Sequence, residues 1–190
     1  MMETVSFTRM IDGTSEEYAF LEKLEHEYVA KLPDRIMAAM QGLENSLSGY
    51  RVSRLEHSLQ SATRAHRDNR PVDYVVAALI HDIGDELAPY SHSEMAASIL
   101  RPFVDEQLHW IIKYHGVFQA YYYGEQMGID RNIRDRFKDH PHFDESVVFC
   151  EKYDQNCFDP DYESMPLSFF EPMVREVFTR KPIFGETSAV

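Results

Sequence analysis

The sequence lacks long hydrophobic runs and has few cysteines. Among its 190 residues, no apolar stretch approaches the roughly 20 residues that span a bilayer. No charged start is followed by an apolar segment, so we expect no signal peptide and a cytoplasmic protein. Cys150 and Cys157 are too few for a disulfide framework, and we expect two buried or half-buried thiols. Because both lie in one predicted helix, we also expect them to share a helix face.

Positive charge is scarce as well. The chain has 19 Lys and Arg residues against 32 Asp and Glu residues, which gives a formal net charge of -13 at pH 7. Such a field repels nucleic acids and anionic membrane surfaces, so we expect neither as a partner. A small anionic substrate remains compatible with this charge, because local cations or a metal can invert the sign inside a pocket. The sequence indicates no particular oligomeric state.

The alternation of apolar and polar residues that marks half-buried strands is absent over any useful length. Apolar residues recur instead at helical spacing. The first predicted helix is capped by Thr14 or Ser15 and reaches Leu32. The other predicted helices cover approximately residues 36–48, 53–67, 72–84, 92–100, 105–115, 117–127, 130–138, 143–157 and 167–179. No repeat or linker divides the chain, so we predict an all-α, single-domain helical bundle over residues 1–190.

The predicted helix over residues 72–84 carries the most informative sequence. Val75 to Ile80 are apolar on every side, which indicates a central, buried helix. This run leads directly into His81 and Asp82. A carboxylate at the end of a buried helix has to be paired, hydrogen-bonded or bound to a metal. The alternatives to a metal site are that Asp82 pairs with an arginine or that it caps the following turn.

Other potential metal ligands lie on different predicted helices. They are His57, His92, His115 and Asp154. Helical bundles assemble metal sites in this way, and imidazoles together with carboxylates suit iron, manganese or zinc. Four imidazoles and two carboxylates exceed the needs of one ion and favour two ions with a bridging carboxylate. We expect packing or surface roles for the remaining histidines, which are His26, His66, His109, His140 and His142.

The order of His57, His81-Asp82 and Asp154 resembles the H…HD…D pattern of the HD-domain superfamily. With His92 and His115 added, the segments LEHSLQSA (55–62) and AALIHDIGD (77–85) are similar to a more specific group. This group is the mixed-valent di-iron oxygenases, which comprise myo-inositol oxygenase and the oxygenases that cleave the C–P bond of hydroxyphosphonates. The resemblance covers about residues 50–160.

The resemblance implies an HD-type helical bundle with two iron ions in the Fe(II)/Fe(III) state. One iron would be held by His57, His81, Asp82 and Asp154. Asp82 would bridge to the second iron, which His92 and His115 complete. The implied activity is that of a non-heme dioxygenase in phosphonate catabolism, which uses O2 to oxidise a C–H bond and cleave the C–P bond of a small hydroxyphosphonate. Catalytic roles fall on Asp82, His115 and Asp85.

The positions that contact substrate in these relatives have changed. Asp85, followed by Glu86, replaces a residue that is often His or Lys, and Gln119 replaces a phosphonate-binding Lys. Leu47 stands at the position of an iron-covering Tyr, with Tyr50 as the nearest aromatic. Acidic side chains and an aromatic run at 121–123 favour a substrate with an amino or trimethylammonium group. The tentative substrate-binding residues are Tyr50, Asp85, Glu86, Gln119 and Tyr122, with Arg131 and Arg134 for the anionic end.

Two other functions compete with this one. The superfamily also contains metal-dependent phosphohydrolases and phosphodiesterases that act on nucleotides or phosphate esters, because two metals can activate water and hold a phosphate. Asp85 is poorly suited to contact a phosphate anion, which disfavours this alternative. A non-catalytic binding module that kept the metal site is the third hypothesis, and the presence of all six ligands disfavours it.

Overall fold

The computed structural model describes residues 3–183, and this range contains helices but no β-strand. Its α-helices are α1 (Ser15–Val29), α2 (Leu32–Gly42), α3 (Arg54–Arg67), α4 (Val72–Ile80), α5 (His92–Leu100), α6 (Glu106–Tyr123), α7 (Phe143–Tyr153) and α8 (Leu167–Phe178). Short 3₁₀ helices cover Met10–Asp12, Leu43–Asn45, Glu125–Met127 and Ile133–Phe137. The predicted all-α bundle is confirmed. Residues 1–2 and 184–190 of the predicted domain lie outside the described residues.

Several helices begin at side chains that satisfy their free backbone N–H groups. Thr14 and Glu17 form a reciprocal capping box at α1. Ser53 accepts a hydrogen bond from a backbone N–H in the first turn of α3, and Asp105 does the same for α6. Pro71 precedes α4, where its fixed φ suits the entry to a helix. The caps at Ser53 and Asp105 set the starts of α3 and α6, which carry His57 and His115.

The centre of the fold is α4, whose residues 74–80 are all buried. This helix packs against α3 and α8, while α7 contacts both α3 and α6, and α5 packs along α6. The buried position confirms the interpretation of α4 from its continuous apolar run. The C-terminal end of α4 consequently points its last residues into the interior of the bundle.

Helix α4 ends at Ile80 and not near residue 84 as predicted. Residues 81–87 form turns, in which the backbone N–H of Ile83 donates to the carbonyl of Ile80 and that of Asp85 to Asp82. A Cβ atom at Gly84 would lie 2.7 Å from the carbonyl oxygen of His92. Glycine at this position therefore allows the turn to pack directly against the start of α5.

The predicted helices over 105–115 and 117–127 are joined in one α-helix, α6, which ends at Tyr123 and is followed by the 3₁₀ helix Glu125–Met127. Gly116 does not break it, because neighbouring helices pack around this point and a Cβ there would lie 3.2 Å from Ser93 Oγ on α5. The predicted helix over 130–138 is a 3₁₀ helix, Ile133–Phe137, in the structure. These segments are helical as predicted, but their boundaries and helix types differ from the prediction.

Helix α7 ends at Tyr153, so the prediction that Cys150 and Cys157 share a helix face is wrong. Cys157 lies beyond the helix, where the chain has turned back towards α3. Both cysteines are buried and free, as expected. Burial raises the pKa of both thiols, which disfavours the reactive thiolate form.

The apolar stripe of α1 is largely outside the core. Leu24 and Tyr28 are exposed, and Glu17 is the residue of this helix that is buried. None of the helices in residues 3–183 combines the length and apolar content needed to cross a bilayer.

Candidate metal centre

The six predicted ligands converge at the inner ends and faces of five helices. His57 lies on α3 and His115 on α6, His92 is the first residue of α5, and His81 and Asp154 directly follow α4 and α7. Asp82 follows His81 in the turn after α4. Five of the six are buried, and only the side chain of His92 is partly exposed, at 28%.

Asp82 lies between two groups of histidines. Its Oδ2 atom is 3.3 Å from Nε2 of His57 and 3.3 Å from Nε2 of His81. Its Oδ1 atom is 3.3 Å from Nε2 of His115 and 3.4 Å from Nε2 of His92. Each oxygen of one carboxylate thus faces its own pair of imidazole nitrogens. This is the arrangement that a bridging carboxylate requires.

Asp154 completes the group on the Oδ2 side. Its Oδ1 atom lies 3.4 Å from Nε2 of His57 and 3.7 Å from Nε2 of His81. Its Oδ2 atom is buried without a hydrogen-bond partner in the described residues. Ligand atoms bound 2.0–2.2 Å from one ion lie about 3.0–3.5 Å apart. The spacing of these atoms and the unpartnered carboxylate oxygen therefore fit a metal ion.

Hydrogen bonds to the backbone orient three of the four imidazoles. The Nδ1 atoms of His57, His81 and His115 lie 3.0, 2.8 and 2.7 Å from backbone carbonyl oxygens of Cys157, Ala78 and Ile112, respectively. A carbonyl can only accept, so Nδ1 carries the hydrogen and donates it. In the neutral form of each ring, Nε2 then presents a lone pair to the cluster, and this is the tautomer that binds metals.

Charge and burial oppose each other in this cluster. Burial disfavours protonation of His57 and His81, but the carboxylates of Asp82 and Asp154 outweigh it and raise the pKa of both imidazoles. Burial likewise disfavours ionisation of the two aspartates, yet the neighbouring imidazoles, joined at Asp82 by the guanidinium of Arg54, hold the pKa of each carboxyl below its usual value. Protons on the imidazoles thus supply positive charge that a metal ion can replace.

Arg54 is a site residue that the sequence analysis missed. It lies one turn before His57 on α3, and its Nη2 donates to Oδ2 of Asp82 while its Nε donates to Oδ2 of Asp85 at 2.5 Å. Burial disfavours its charge, but Asp82 and Asp85 outweigh this and raise the pKa of the guanidinium. The arginine partner considered for Asp82 therefore exists alongside the ligand cluster. The i, i+3 spacing from His57 was the available signal.

A cavity of about 780 Å³ opens beside the cluster. Four of the six candidate ligands line it, namely Asp82, His92, His115 and Asp154. The predicted residues Tyr50, Asp85, Glu86, Gln119 and Tyr122 line it too, as do Leu47, Tyr123 and Phe158. Among the residues described, Arg54 is the only lysine or arginine in this wall. The amide nitrogen of Gln119 donates to Oδ1 of Asp154 at 2.6 Å, so this side chain holds a candidate ligand.

Aromatic rings form one wall of the cavity. Phe158 stacks on His57 with ring centroids 4.4 Å apart, and Tyr50 stacks on Phe158 at 5.0 Å. Nothing in the sequence singled out Phe158, because it lies in the loop after α7. The same loop supplies the carbonyl of Cys157 that orients His57, which explains how Phe158 reaches the imidazole.

Arg131 and Arg134 lie outside the cavity wall. Their guanidinium carbons lie 4.3 and 3.6 Å from the ring centroid of Tyr121, which does not line the cavity either. Both arginines stack on this ring and neither lines the cavity, so their role as binders of the substrate anion stays a prediction. The adjacent residues of the 121–123 run point in different directions, and Tyr122 and Tyr123 are the two that reach the cavity.

The histidines without a predicted metal role lie outside the cluster. His140 stacks on Trp110 with ring centroids 4.1 Å apart, and His142 lies edge-on to the same indole. His66 contacts Phe169 edge-on, and His26 is exposed. These positions match ordinary packing and surface roles.

No protein-family model matches the chain. A curated protein from Leisingera caerulea, 1-hydroxy-2-(trimethylamino)ethylphosphonate dioxygenase (glycine-betaine-forming), is 31% identical to it over 84 residues. The match covers 38% of this chain and 43% of the relative, so it spans less than half of the relative's length.

The fold and the site define an all-helical protein with a buried His/Asp cluster that is suited to hold metal. The similarity to a protein from Leisingera caerulea that is named as a dioxygenase agrees with the relationship inferred from the His-Asp pattern.

Proposed function

We propose that this protein is a di-iron oxygenase that cleaves the C–P bond of a small hydroxyphosphonate with a cationic end. The observation that carries the proposal is the position of Asp82, whose two oxygens face separate pairs of imidazole nitrogens. A single ion would not use ligands on both sides of this carboxylate. Two ions that share the carboxylate would use all six candidate ligands.

The two positions would differ in their protein ligands. His57, His81, Asp82 and Asp154 would hold one iron, and Asp82, His92 and His115 the other. An Fe(II)/Fe(III) pair bound there would supply the activation of dioxygen and the oxidation of a C–H bond. The second position has three protein ligands and faces the cavity through His92 and His115. It therefore leaves room for oxygen atoms of the substrate.

The cavity wall favours a positive charge on the substrate. Glu86 is exposed at the wall and makes no ion pair among the described residues. The rings of Tyr50, Tyr122 and Tyr123 line the same cavity. Aromatic faces attract quaternary ammonium groups by about 0.5–2 kcal/mol per contact, and an unpaired carboxylate adds to this attraction. The trimethylamino group in the name of the relative from Leisingera caerulea fits such a wall.

The proposed reaction has a stoichiometry that tests it directly. A 1-hydroxyphosphonate and one O2 contain the atoms of one carboxylate product and one phosphate. The protein should be purified anaerobically, loaded with iron, partly oxidised and studied by EPR and metal analysis. We expect two irons per chain, a coupled Fe(II)/Fe(III) signal and one phosphate per O2 consumed from 1-hydroxy-2-(trimethylamino)ethylphosphonate.

Two results would contradict this function. One ion per chain, or binding of redox-inert zinc alone, would exclude the di-iron site. Phosphate release from a nucleotide or phosphate ester without O2 uptake would assign the protein to the phosphohydrolase alternative. Both measurements separate the two reaction classes before the natural substrate is known.

A further inference from the structure

Arg54 and Asp85 connect the two proposed metal positions through a chain of charged contacts. Arg54 uses Nη2 for Asp82, the proposed bridging ligand, and Nε for Oδ2 of Asp85 at 2.5 Å. The other oxygen of Asp85, Oδ1, lies 3.5 Å from Nδ1 of His92. The side chains of Arg54 and Asp85 are 10% and 11% exposed, so these contacts are largely shielded from water.

His92 differs from the other three histidines of the cluster in how it is oriented. The Nδ1 atoms of His57, His81 and His115 face backbone carbonyls, whereas Nδ1 of His92 faces a carboxylate. His92 is also the most exposed of the four. The orientation of the His92 ring therefore depends on a side chain, whereas the other three rings are oriented by backbone carbonyls.

We propose that Arg54 and Asp85 are positioning residues for the second metal position. Asp85 holds the imidazole of His92 with Nε2 towards Asp82, and Arg54 fixes Asp85 relative to the bridging carboxylate. This inference rests on the proposed two-metal site. It reassigns Asp85 from substrate contact to ligand orientation, and it leaves Glu86 as the unpaired carboxylate that faces a cationic substrate.

The bonds of Asp85 argue for this reassignment. Both of its oxygens already face partners, and a carboxylate paired with a buried guanidinium has little charge left for a substrate cation. Carboxylates that accept from the remote nitrogen of a ligating histidine fix its tautomer and raise its basicity. Loss of such a partner usually costs 10- to 100-fold in metal affinity.

The charge of Arg54 has a separate effect. A buried cation beside a bridging carboxylate stabilises the reduced metal pair relative to the oxidised one. Replacement of Arg54 by a neutral residue should therefore lower the reduction potential of the site. A residue that only filled space would not shift the potential when replaced by glutamine.

The first test is an anaerobic titration with Mn(II), in which EPR measures the free ion. We expect two sites in the wild type, and in Asp85→Asn a second site weakened about 10- to 100-fold with the first site unchanged. Asp85→Glu should recover part of the affinity. Glu86→Gln removes the neighbouring carboxylate and serves as the matched control, with both affinities unchanged.

The second test compares the iron-loaded wild type with Arg54→Gln and Arg54→Lys. Arg54→Gln should lower the midpoint potential of the Fe(II)/Fe(III) pair. Arg54→Lys keeps the positive charge, so its midpoint potential should stay close to that of the wild type. Should Arg54→Gln fail to fold, the Mn(II) titrations of Asp85→Asn and Asp85→Glu still test the positioning role.

The outcomes separate this inference from the function on which it rests. If the wild type binds a single ion, the proposed function fails. If the wild type binds two ions and Asp85→Asn retains both affinities while KM for the cationic substrate rises, Asp85 contacts the substrate and the positioning role is wrong.

Discussion

The Nε2 atoms of His57 and His81 lie 3.1 Å apart at the buried end of the ligand cluster. Both rings donate from Nδ1 to backbone carbonyls, so two lone pairs would meet at this distance if the rings were neutral. A proton or a metal ion has to lie near both atoms. The packing of α3 against α4 thus creates an unfavourable contact that cation binding relieves.

The first prediction concerns the metal content of two variants. Asp82→Ala should lose both ions, because this carboxylate faces both groups of imidazoles. His92→Ala should mainly empty the second position. Metal analysis and EPR provide the measurement. Asp135→Ala, which removes a surface carboxylate paired with Lys138 at 2.7 Å, is the matched control. Two retained ions with unchanged spectra in Asp82→Ala would show that the carboxylate does not bridge.

The second prediction concerns the pH dependence of stability in the metal-free protein. The pKa of His57 and of His81 is raised above the usual 6.5, so their stabilising contribution is complete below pH 6.5 and is lost as pH rises through the raised values. The pKa of Asp82 and of Asp154 is lowered below 3.8, so theirs is lost as pH falls through the lowered values. The melting temperature should be highest between about pH 4 and 6.5.

Metal should change this profile. Bound imidazoles are neutral, so metal competes with protons and its affinity rises with pH. We expect the melting temperature of the metal-loaded protein to exceed that of the metal-free protein by the largest margin above pH 7. Calorimetry at several pH values checks both curves, and a margin that shrinks from pH 6 to pH 8 would contradict the assignment.

The third prediction concerns the cationic end of the substrate. In 1-hydroxy-3,3-dimethylbutylphosphonate, a tert-butyl group replaces trimethylammonium at equal size and without charge. We expect kcat/KM to be about 2- to 30-fold lower for this analogue, the range that cation–π attraction provides. In Glu86→Gln, the preference for the charged substrate over the neutral analogue should be smaller than in the wild type, because this variant lacks the unpaired carboxylate of the wall. Equal turnover of the two compounds would discard the cation pocket.

The fourth prediction concerns the turn after α4. Gly84→Ala places a Cβ 2.7 Å from the carbonyl oxygen of His92, so the start of α5 has to move. We expect a loss of about 1–3 kcal/mol in the free energy of unfolding and weaker binding at the second metal position. Chemical denaturation and Mn(II) titration measure the two effects. Gly42→Ala is the control, since its new Cβ would approach only the carboxylate end of the flexible Glu86 side chain.

Helical periodicity and the buried position of α4 could be predicted from sequence, because both follow from the pattern of apolar residues. The candidate ligands could also be predicted, since each lies on or beside a segment with a clear helical pattern. The ends of α4 and α7 could not. Both end where the chain turns to place His81, Asp82 and Asp154 inside the cluster, and tertiary packing outweighs local propensity there.

The residues around the ligands were harder to predict than the ligands. In the sequence, Arg54 has no feature that separates it from other helix residues. Its role becomes visible only in the structure, where α3 packs against the turn that carries Asp82 and Asp85. Phe158 reaches His57 through a loop with no periodic pattern. Arg131 and Arg134 are candidates by their charge alone, and in the structure both stack on Tyr121 and do not line the cavity. These relationships depend on contacts between distant segments, which a single sequence does not encode locally.

Three of the candidate ligands lie at helix ends: His81 and Asp154 directly follow α4 and α7, and His92 begins α5. Helix ends are the parts of a fold that open most readily. Ions at the two positions would tie these ends together across distant parts of the chain, much as a cross-link restrains an unfolded polypeptide. Removal of the ions should therefore free the three ends as one unit. Their amide hydrogens would then exchange with solvent sooner than those in the middle of α4, where neither ion has contacts.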